Sequence, residues 1–562
     1  MSAPEFDVIV VGSGITGGWA AKEFTEAGFK VLLLERGRMV EHGTDYNTES
    51  LAPWELPFRG KGDPALFAKD FPIQSRKWHF NEWTQDRFVN DRENPYATPA
   101  DAPFEWTRSY MLGGRSQTWG RQCYRWSDYD FGANKADGHG VDWPVRYKDL
   151  APYYDKAEDF IGVSGSTDGA ESLPDGKFQP PFQLNVVEKA VKSVIETQFP
   201  GRHLIIGRTA NLTEPKVGRA ACQSPDICPR GCSFGAYFST QSSTLPAAQA
   251  TGNLTLKTDM IVESVDHDPA TGRATGVSAL DTKTGKRVRH TARVIFLNAG
   301  SFNTVALLMR STSEAFPTGM GNRSSGLLGH YILDHAVSVG AAAMMPGYEA
   351  HTTYGNRPTG IFVPKFRNIG SDKAPFLRSY SYQGGALQGA WARGGKQAGI
   401  GADFKDGLRH PGPWRFVLVT YAECLPRKEN RLSLERDRTD AFGQAQLRIE
   451  FNFSDNEKRL LADGAKEAST MLTAAGGHVV FSQDGPNPPG SSIHEMGGAR
   501  MSADPTDGVV NAYNQLHDVP NVFVTDGAAM ASSASQNPSL TYMAFTIRAA
   551  EHAIGRMRAG AL

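Results

Sequence analysis

The sequence predicts an α/β chain (α+β overall) that begins on a doubly covered parallel sheet and carries a separate β-rich region further on. Three observations lead there. The first 38 residues read strand, tight turn, helix, strand; glycine-rich turns recur near the start, middle and end of the chain; and strand-like runs separated by turn signals fill much of what lies between.

Asp7 to Val11 is a continuous apolar run, as a parallel strand shows when both its faces are covered. Gly12, Gly14 and Gly17 then open a helix expected over Ala20 to Ala27, with Gly28 marking its end, and Phe29 to Leu34 reads as a second buried strand ending at Glu35. This is the start of a Rossmann-like unit. Residues 40 to 105 are rich in Pro, Trp, Asp and Asn without periodicity and read as a long surface excursion, a lid or partner-facing segment. Tyr147 to Phe160 reads as a short helix. Leu254 to Val262, Thr275 to Leu280 and Arg293 to Leu297 suggest a small sheet, and a second β-rich region is expected over about 336 to 453, including Phe416 to Tyr421, Arg431 to Leu434 and Leu447 to Phe453. Ser454 and Glu457 form a capping box for a helix reaching about Ala475.

At 562 residues the chain exceeds one hydrophobic core. Its 59 basic and 60 acidic residues nearly cancel, which argues against nucleic acid or an anionic membrane as the main partner. No apolar run is long enough to span a bilayer. The amino terminus lacks a basic leader or cleavage site, so no secretion signal is expected on this chain itself. Its five cysteines are an odd number, which speaks against a complete disulfide framework.

A lone G-x-G-x-x-G is a weak signal, but here it follows a buried strand, opens a helix and has Glu35 eighteen residues after Gly17, where an acid can accept hydrogen bonds from a ribose. The glycines admit a pyrophosphate to the helix amino terminus. That motif does not separate FAD from NAD. Further glycine-rich turns do: Leu112 to Gly120, Asn298 to Asn303, Val524 to Ala528 and Ser535 to Ser539 suit a long flavin nucleotide contacted along its length. Ser492 to Met501 contains His494, whose side-chain type suits a base for a hydroxyl proton, and Asn537 follows 43 residues later.

With these motifs the chain resembles the glucose-methanol-choline (GMC) oxidoreductases. The resemblance implies a Rossmann-like FAD-binding domain of GMC type assembled from residues 1–42, 95–135, 205–335 and 485–562, and a discontinuous β-sheet substrate or partner domain from 43–94, 136–204 and 336–484. It implies cofactor contacts at Gly12, Gly14, Gly17, Glu35, Arg36, Gly113, Gly114, Ser116, Thr118, Val262, Ala299, Gly300, Asp526, Gly527, Asn537 and Pro538. Thr118 stands where similar pyranose oxidases carry a flavin-linked histidine, so non-covalent FAD is expected. His494 matches the family's catalytic histidine and Asn537 its second member, expected to orient the substrate oxygen.

Cys222, Cys228 and Cys232 have the spacing of the iron–sulfur-bearing subunits of bacterial FAD glucose dehydrogenases, which implies a 3Fe-4S cluster, since three thiolates suit three irons. A zinc site short of one ligand and buried structural thiols remain alternatives. His330 and His335 read as structural or supporting residues, and Glu423 as able to point toward the pocket. The carboxy-terminal wording is closest to glucoside 3-dehydrogenases, which implies a sugar substrate (glucose, glucosides or disaccharides) oxidised at C3. An oxygen-using pyranose or glucoside oxidase and a gluconate, glucose or fructose dehydrogenase subunit remain alternatives. The resemblance also implies a small signal-bearing companion subunit, a c-type cytochrome and co-export to the periplasm, the alternative location being cytoplasmic.

Overall fold

The computed structural model describes residues 4–353 and 355–562. Strand β1 (Phe6–Val11), helix α1 (Ile15–Glu26) and strand β2 (Val31–Leu34) form the expected unit, with β1 and β2 parallel and Val8 beside Val31. The helix starts five residues earlier than its sequence suggests. Gly17 and Gly18 lie inside it because their missing side chains allow close packing: a Cβ on Gly17 would fall 1.8 Å from the Gly12 carbonyl, and one on Gly18 2.5 Å from Thr244 Oγ1.

This unit is the middle of a seven-stranded sheet. Its spatial order is Leu254–Lys257, β2, β1, Arg287–Leu297, Arg273–Asp281 and Met260–Asp268, with Val522–Val524 also paired to Arg287–Leu297. The separate small sheet expected over 254 to 298 is therefore corrected. Arg287–Leu297 is long enough to serve two partners: its first half pairs antiparallel with Arg273–Asp281, and its second half runs parallel to β1. Leu254 to Val262 is also two strands, broken where Asp259 takes φ +61°.

A second, antiparallel sheet has the order His478–Phe481, Ala336–Met345, Trp414–Ala422, Tyr380–Gln388, Ile361–Val363 and Ile205–Ile206. Helix Asp455–Ala474 packs on it through Leu460, Leu461, Ala468 and Leu472, and is started by Ser454 and Glu457 as the capping box requires. The hairpin Arg431–Thr439 with Ala445–Glu450 is not part of this sheet. Leu432, Leu447 and Ile449 turn to the other core, beside Val305 and Leu308, which corrects the expectation of one β-rich region over 336 to 453. The 40 to 105 segment also departs from a surface excursion: Gln74, His79, Thr84, Arg87 and Asp91 are buried, tied by hydrogen bonds such as Gln74 Nε2 to Asp91. Short polar networks replace periodicity there, so no sequence pattern announces the packing. Among the described residues no helix is long and apolar enough to cross a membrane.

Candidate active site

Between the two sheets lies a cavity of about 560 Å³ that extends from Glu35, Arg36 and Val262 at one end to His494 and Asn537 at the other. Its walls are the turns that leave the strand ends of the first sheet, where ligands of open α/β sheets bind. Gly12, with φ +93°, lets the first turn pass the Asn298 carbonyl; a Cβ there would stand 2.3 Å from that oxygen. Gly14 faces open space, with nothing within 4 Å of where a Cβ would project, at the amino end of α1. Its backbone is bare toward the cavity, as close approach of a pyrophosphate requires.

Of the sequence-derived cofactor residues, Gly12, Gly14, Glu35, Arg36, Gly114, Ser116, Thr118, Val262, Ala299, Gly300, Asp526, Gly527, Asn537 and Pro538 line this cavity. Gly17 and Gly113 do not. They stand behind the wall, Gly17 against the Gly12 carbonyl and Gly113 against Gln241, so their role is to let the turns pack. Two carboxylates join the turns to one another. Glu35 accepts from Ser13 N–H and Oγ–H and from Gly37 N–H, while Ser13 Oγ accepts from Gly113 N–H at 2.8 Å. Asp526 accepts from Gly300 N–H at 2.9 Å, from Thr304 Oγ–H and from Ala528 N–H. Burial raises the pKa of both carboxyls. Arg36 is held by Asn94 and Asp440 at 3.1 Å each and lies over the Tyr110 ring.

At the far end Asn537 Nδ2 is 3.1 Å from His494 Nε2, and its Oδ1 accepts from Gln383 Nε2 at 2.6 Å. The other imidazole nitrogen, His494 Nδ1, is 2.7 Å from His335 Nδ1, and His335 Nε2 is 2.9 Å from the Ala534 carbonyl. Burial, followed by His335 and Arg115, pushes the His494 pKa well below 6.5. The backbone here is held in costly geometry: Ile493, immediately before the histidine, has φ +62°, and Ala534 has φ +52°. Asp334 over-determines the first of these by accepting from Gly490 N–H, Ser492 Oγ–H and His494 N–H. Burial raises its own pKa to about 7.

Residues 6–337 match the N-terminal and residues 426–546 the C-terminal family model described as GMC oxidoreductase. This chain is a GMC oxidoreductase. It is 27% identical to 2-methyl-1,2-propanediol dehydrogenase of Mycolicibacterium austroafricanum, covering 98% of this chain and 95% of that protein. It is 24% identical to the fructose dehydrogenase large subunit of Gluconobacter japonicus (99% and 98%) and 27% to 6'''-hydroxyparomomycin C oxidase of Streptomyces lividus (97% and 90%). The fold matches pyridoxine 4-oxidase from Mesorbium loti with TM-score 0.60 at 16% identity, covering 97% and 98% of the two chains.

GMC proteins are flavoproteins that bind FAD, and the residues present fit that group. Besides the open face of Gly14, residues lining the cavity carry buried polar atoms with no protein partner, among them Asn298 Nδ2, Ser301 Oγ and the Tyr542 hydroxyl. Buried polar atoms without a protein partner call for a bound group or water to satisfy them. The GMC site also contains residues that sequence reasoning missed. Trp78, Gln122, Thr359, Gln383 and Tyr421 line the cavity, and Trp78 is exposed at its mouth. Only Gln383 had a local signal, since the neighbouring Gly384 and Gly385 mark close backbone approach within a strand.

Other expectations change. Glu423 does not face the cavity; it is buried with Lys365 and Arg378, Lys365 also pairing with Asp130. His330 Nδ1 bonds the Lys428 carbonyl away from the site, whereas His335 touches His494. Cys222, Cys228 and Cys232 gather in one small cluster with Ala236 and Tyr237. Among the described residues, however, no three His, Cys, Asp or Glu side chains converge to hold a metal ion, so the thiols as placed do not form a metal cage. Burial raises the pKa of Cys222 and of Cys232.

Proposed function

We propose that this GMC oxidoreductase is an FAD-dependent sugar dehydrogenase that oxidises a secondary alcohol, C3 of glucose or a glucoside, with His494 as base. The observation that carries the reading is a buried imidazole whose Nε2 meets the Asn537 amide at the end of the cavity, burial favouring its neutral form. The names of the relatives, which include a fructose dehydrogenase large subunit and 6'''-hydroxyparomomycin C oxidase, support an alcohol-bearing sugar as substrate. The site residues and the division into FAD and substrate domains stated from the sequence belong to the same proposal. The two sheets and the cavity between them support it, except that Ile205–Ile206 pairs within the second sheet and the 431–450 hairpin packs in the first core.

Bound FAD, held without a covalent link beside Thr118, would supply the acceptor for hydride. The chain's own residues do the rest. A sugar hydroxyl entering past Trp78 displaces the direct contact of Asn537 with His494, so that its oxygen accepts from Asn537 Nδ2 and its proton faces His494 Nε2. Gln383 holds the Asn537 amide in the orientation this needs. As the C–H bond breaks, the hydroxyl proton passes to Nε2 and the carbon becomes a carbonyl.

Since His494 must be unprotonated to act, the rate of flavin reduction should be lost only as pH falls through its folded pKa, which lies well below 6.5. The rate is expected to be flat between about pH 6.5 and 8 in stopped-flow measurements. An inflection inside that window attributable to His494 would contradict the assignment. The activity itself is tested by anaerobic titration with glucose, methyl glucosides and disaccharides, with product identification by NMR. Unchanged flavin absorbance across the whole panel would overturn it. Reoxidation by air against ferricyanide or cytochrome separates an oxidase, which the oxidase relatives favour, from a dehydrogenase.

Within this proposal a 3Fe-4S cluster on Cys222, Cys228 and Cys232, a cytochrome-type acceptor, a small companion subunit and periplasmic location by co-export form one linked set. It rests on the sequence resemblance; the three thiols lie near one another beside Tyr237 but as placed do not converge on a metal ion, so cluster binding would require them to close in. No catalytic step depends on it. Anaerobically purified protein is expected to contain iron, and Cys228→Ser to lose iron and electron transfer to cytochrome while sugar still bleaches the flavin. Iron-free parent protein, or a variant that passes electrons equally well, would return the cysteines to structural thiols.

A further inference from the structure

We propose that His335 is a positioning residue that fixes the tautomer of His494, leaving the lone pair on Nε2 toward the substrate. The inference rests on the reading of His494 as the base and goes beyond it by assigning the group that makes it one.

The direction of the hydrogen-bond chain follows from its one unambiguous end. The Ala534 carbonyl, 2.9 Å from His335 Nε2, can only accept, as can the Ser533 carbonyl at 3.2 Å, so Nε2 of His335 carries a proton. Burial pushes the His335 pKa down to about 4, so the ring is neutral and its Nδ1 is bare. That bare nitrogen lies 2.7 Å from His494 Nδ1. Two lone pairs cannot share that distance, so His494 Nδ1 carries the proton and donates. His494 is itself neutral, and its single proton is thereby used on the far side of the ring. Nε2 is left as an acceptor. The Asn537 amide agrees from the other side: Gln383 donates to its Oδ1, so its Nδ2 is the atom that donates toward His494 Nε2.

The rings are held to this arrangement. Their planes stand at 89° with centroids 4.9 Å apart, and the contact between them is the one from Nδ1 to Nδ1. The Ala534 carbonyl is presented by a residue at φ +52°, and Asp334, adjacent to His335 in sequence, binds the loop that carries His494. The groups facing the pair are Arg115, the Tyr421 ring and the Asp334 carboxyl; none supplies an alternative acceptor for His494 Nδ1. Once the hydroxyl proton has arrived on Nε2, the imidazolium still donates through Nδ1 to a neutral His335. The same contact therefore serves both protonation states, and the proton gained by His494 is the one lost by the sugar hydroxyl.

The test uses ¹⁵N-histidine-labelled, FAD-loaded protein without sugar, the His494 signal being assigned by its loss in His494→Gln. The parent is expected to show a bare Nε2 and protonated Nδ1 at His494, and the reverse tautomer at His335. In His335→Leu the buried N–H of His494 has no acceptor, its tautomer shifts toward Nε2–H, and flavin reduction slows by roughly 10–100-fold at unchanged flavin content. His335→Gln, whose amide can accept from Nδ1–H and donate to Ala534, should recover most of both the tautomer and the rate. A protonated Nε2 on His494 in the parent overturns the proposal, as does a folded His335→Leu protein with unchanged tautomer and rate. If that variant does not fold, the parent spectrum alone decides. Failure of every sugar to reduce the flavin would remove the proposed activity and leave the tautomer result standing.

Discussion

Replacing His494 by alanine is expected to slow flavin reduction by sugar by about 10²–10⁴-fold, the range a positioned base contributes, with flavin content equal to that of the parent. No neighbour can take the proton instead. Asn537 is an amide already held by Gln383, and burial pushes the Tyr421 hydroxyl up to about 12. Glu495 is paired with Arg115 at 2.6 Å, and Asp334 is occupied with the loop behind the histidine, outside the cavity wall. FAD should stay because the glycine turns and the unpartnered polar atoms expected to hold it lie along the rest of the cavity. Anaerobic single-turnover stopped-flow, following bleaching of the flavin absorbance on mixing with sugar, reads this rate. Parent-like reduction would remove His494 from the chemistry. Loss of flavin together with activity would show that the residue supports the pocket and not the proton transfer.

The second large effect is expected from Gly12→Ala. A side chain there meets two penalties at once: φ of +93°, and a Cβ 2.3 Å from the Asn298 carbonyl and 2.8 Å from its carbon. Both atoms are backbone, so the clash cannot be relieved by a rotamer change. The turn must move away from the 298–301 turn, and the two walls of the cavity separate. Positive φ costs roughly 1–2 kcal/mol and overpacking a further 1–3 kcal/mol, so destabilisation of about 2–5 kcal/mol should accompany loss of most bound flavin. Urea unfolding and the absorbance ratio of flavin to protein check the two parts separately. Gly14→Ala is the informative contrast. Its Cβ meets no protein atom within 4 Å, so it should fold like the parent and lose flavin affinity alone. Equal stability losses in the two variants would mean that Gly14 too is a packing glycine.

The βαβ start was legible because its signals are local. A run from Val8 to Val11 apolar on both faces, cut off by a glycine turn, fits a covered strand, and glycines at fixed offsets after it report a turn whose backbone must be approached closely. The capping box at Ser454 and Glu457 is equally local, three residues apart on one chain segment. His494 and Asn537 were found as separate motifs and meet at 3.1 Å across 43 residues. Helix α1 was placed late because glycines are poor helix formers in isolation. Only contact with Gly12 and Thr244 explains why they are wanted there.

What the sequence by itself determined is therefore the class of the fold and the nucleotide turn, and it singled out His494 and Asn537 as the side chains proposed to react, each carried by a pattern within a dozen or so residues. What only the tertiary structure decided is how those pieces are electrically arranged. Arg287–Leu297 could serve two partners only once the sheet existed to pair both its halves. Residues 431–450 chose the core of Val305 over the neighbouring sheet because that is where their apolar face could be buried. Trp78 and Tyr421 carry no local signal and Gln383 only that of the glycines beside it; all three became site residues because the fold brings their segments to the cavity wall. His335 shows the reason most directly: a neutral imidazole has no preferred nitrogen for its proton that a sequence can express, and the choice at His494 is made by a ring 159 residues away and a carbonyl at Ala534.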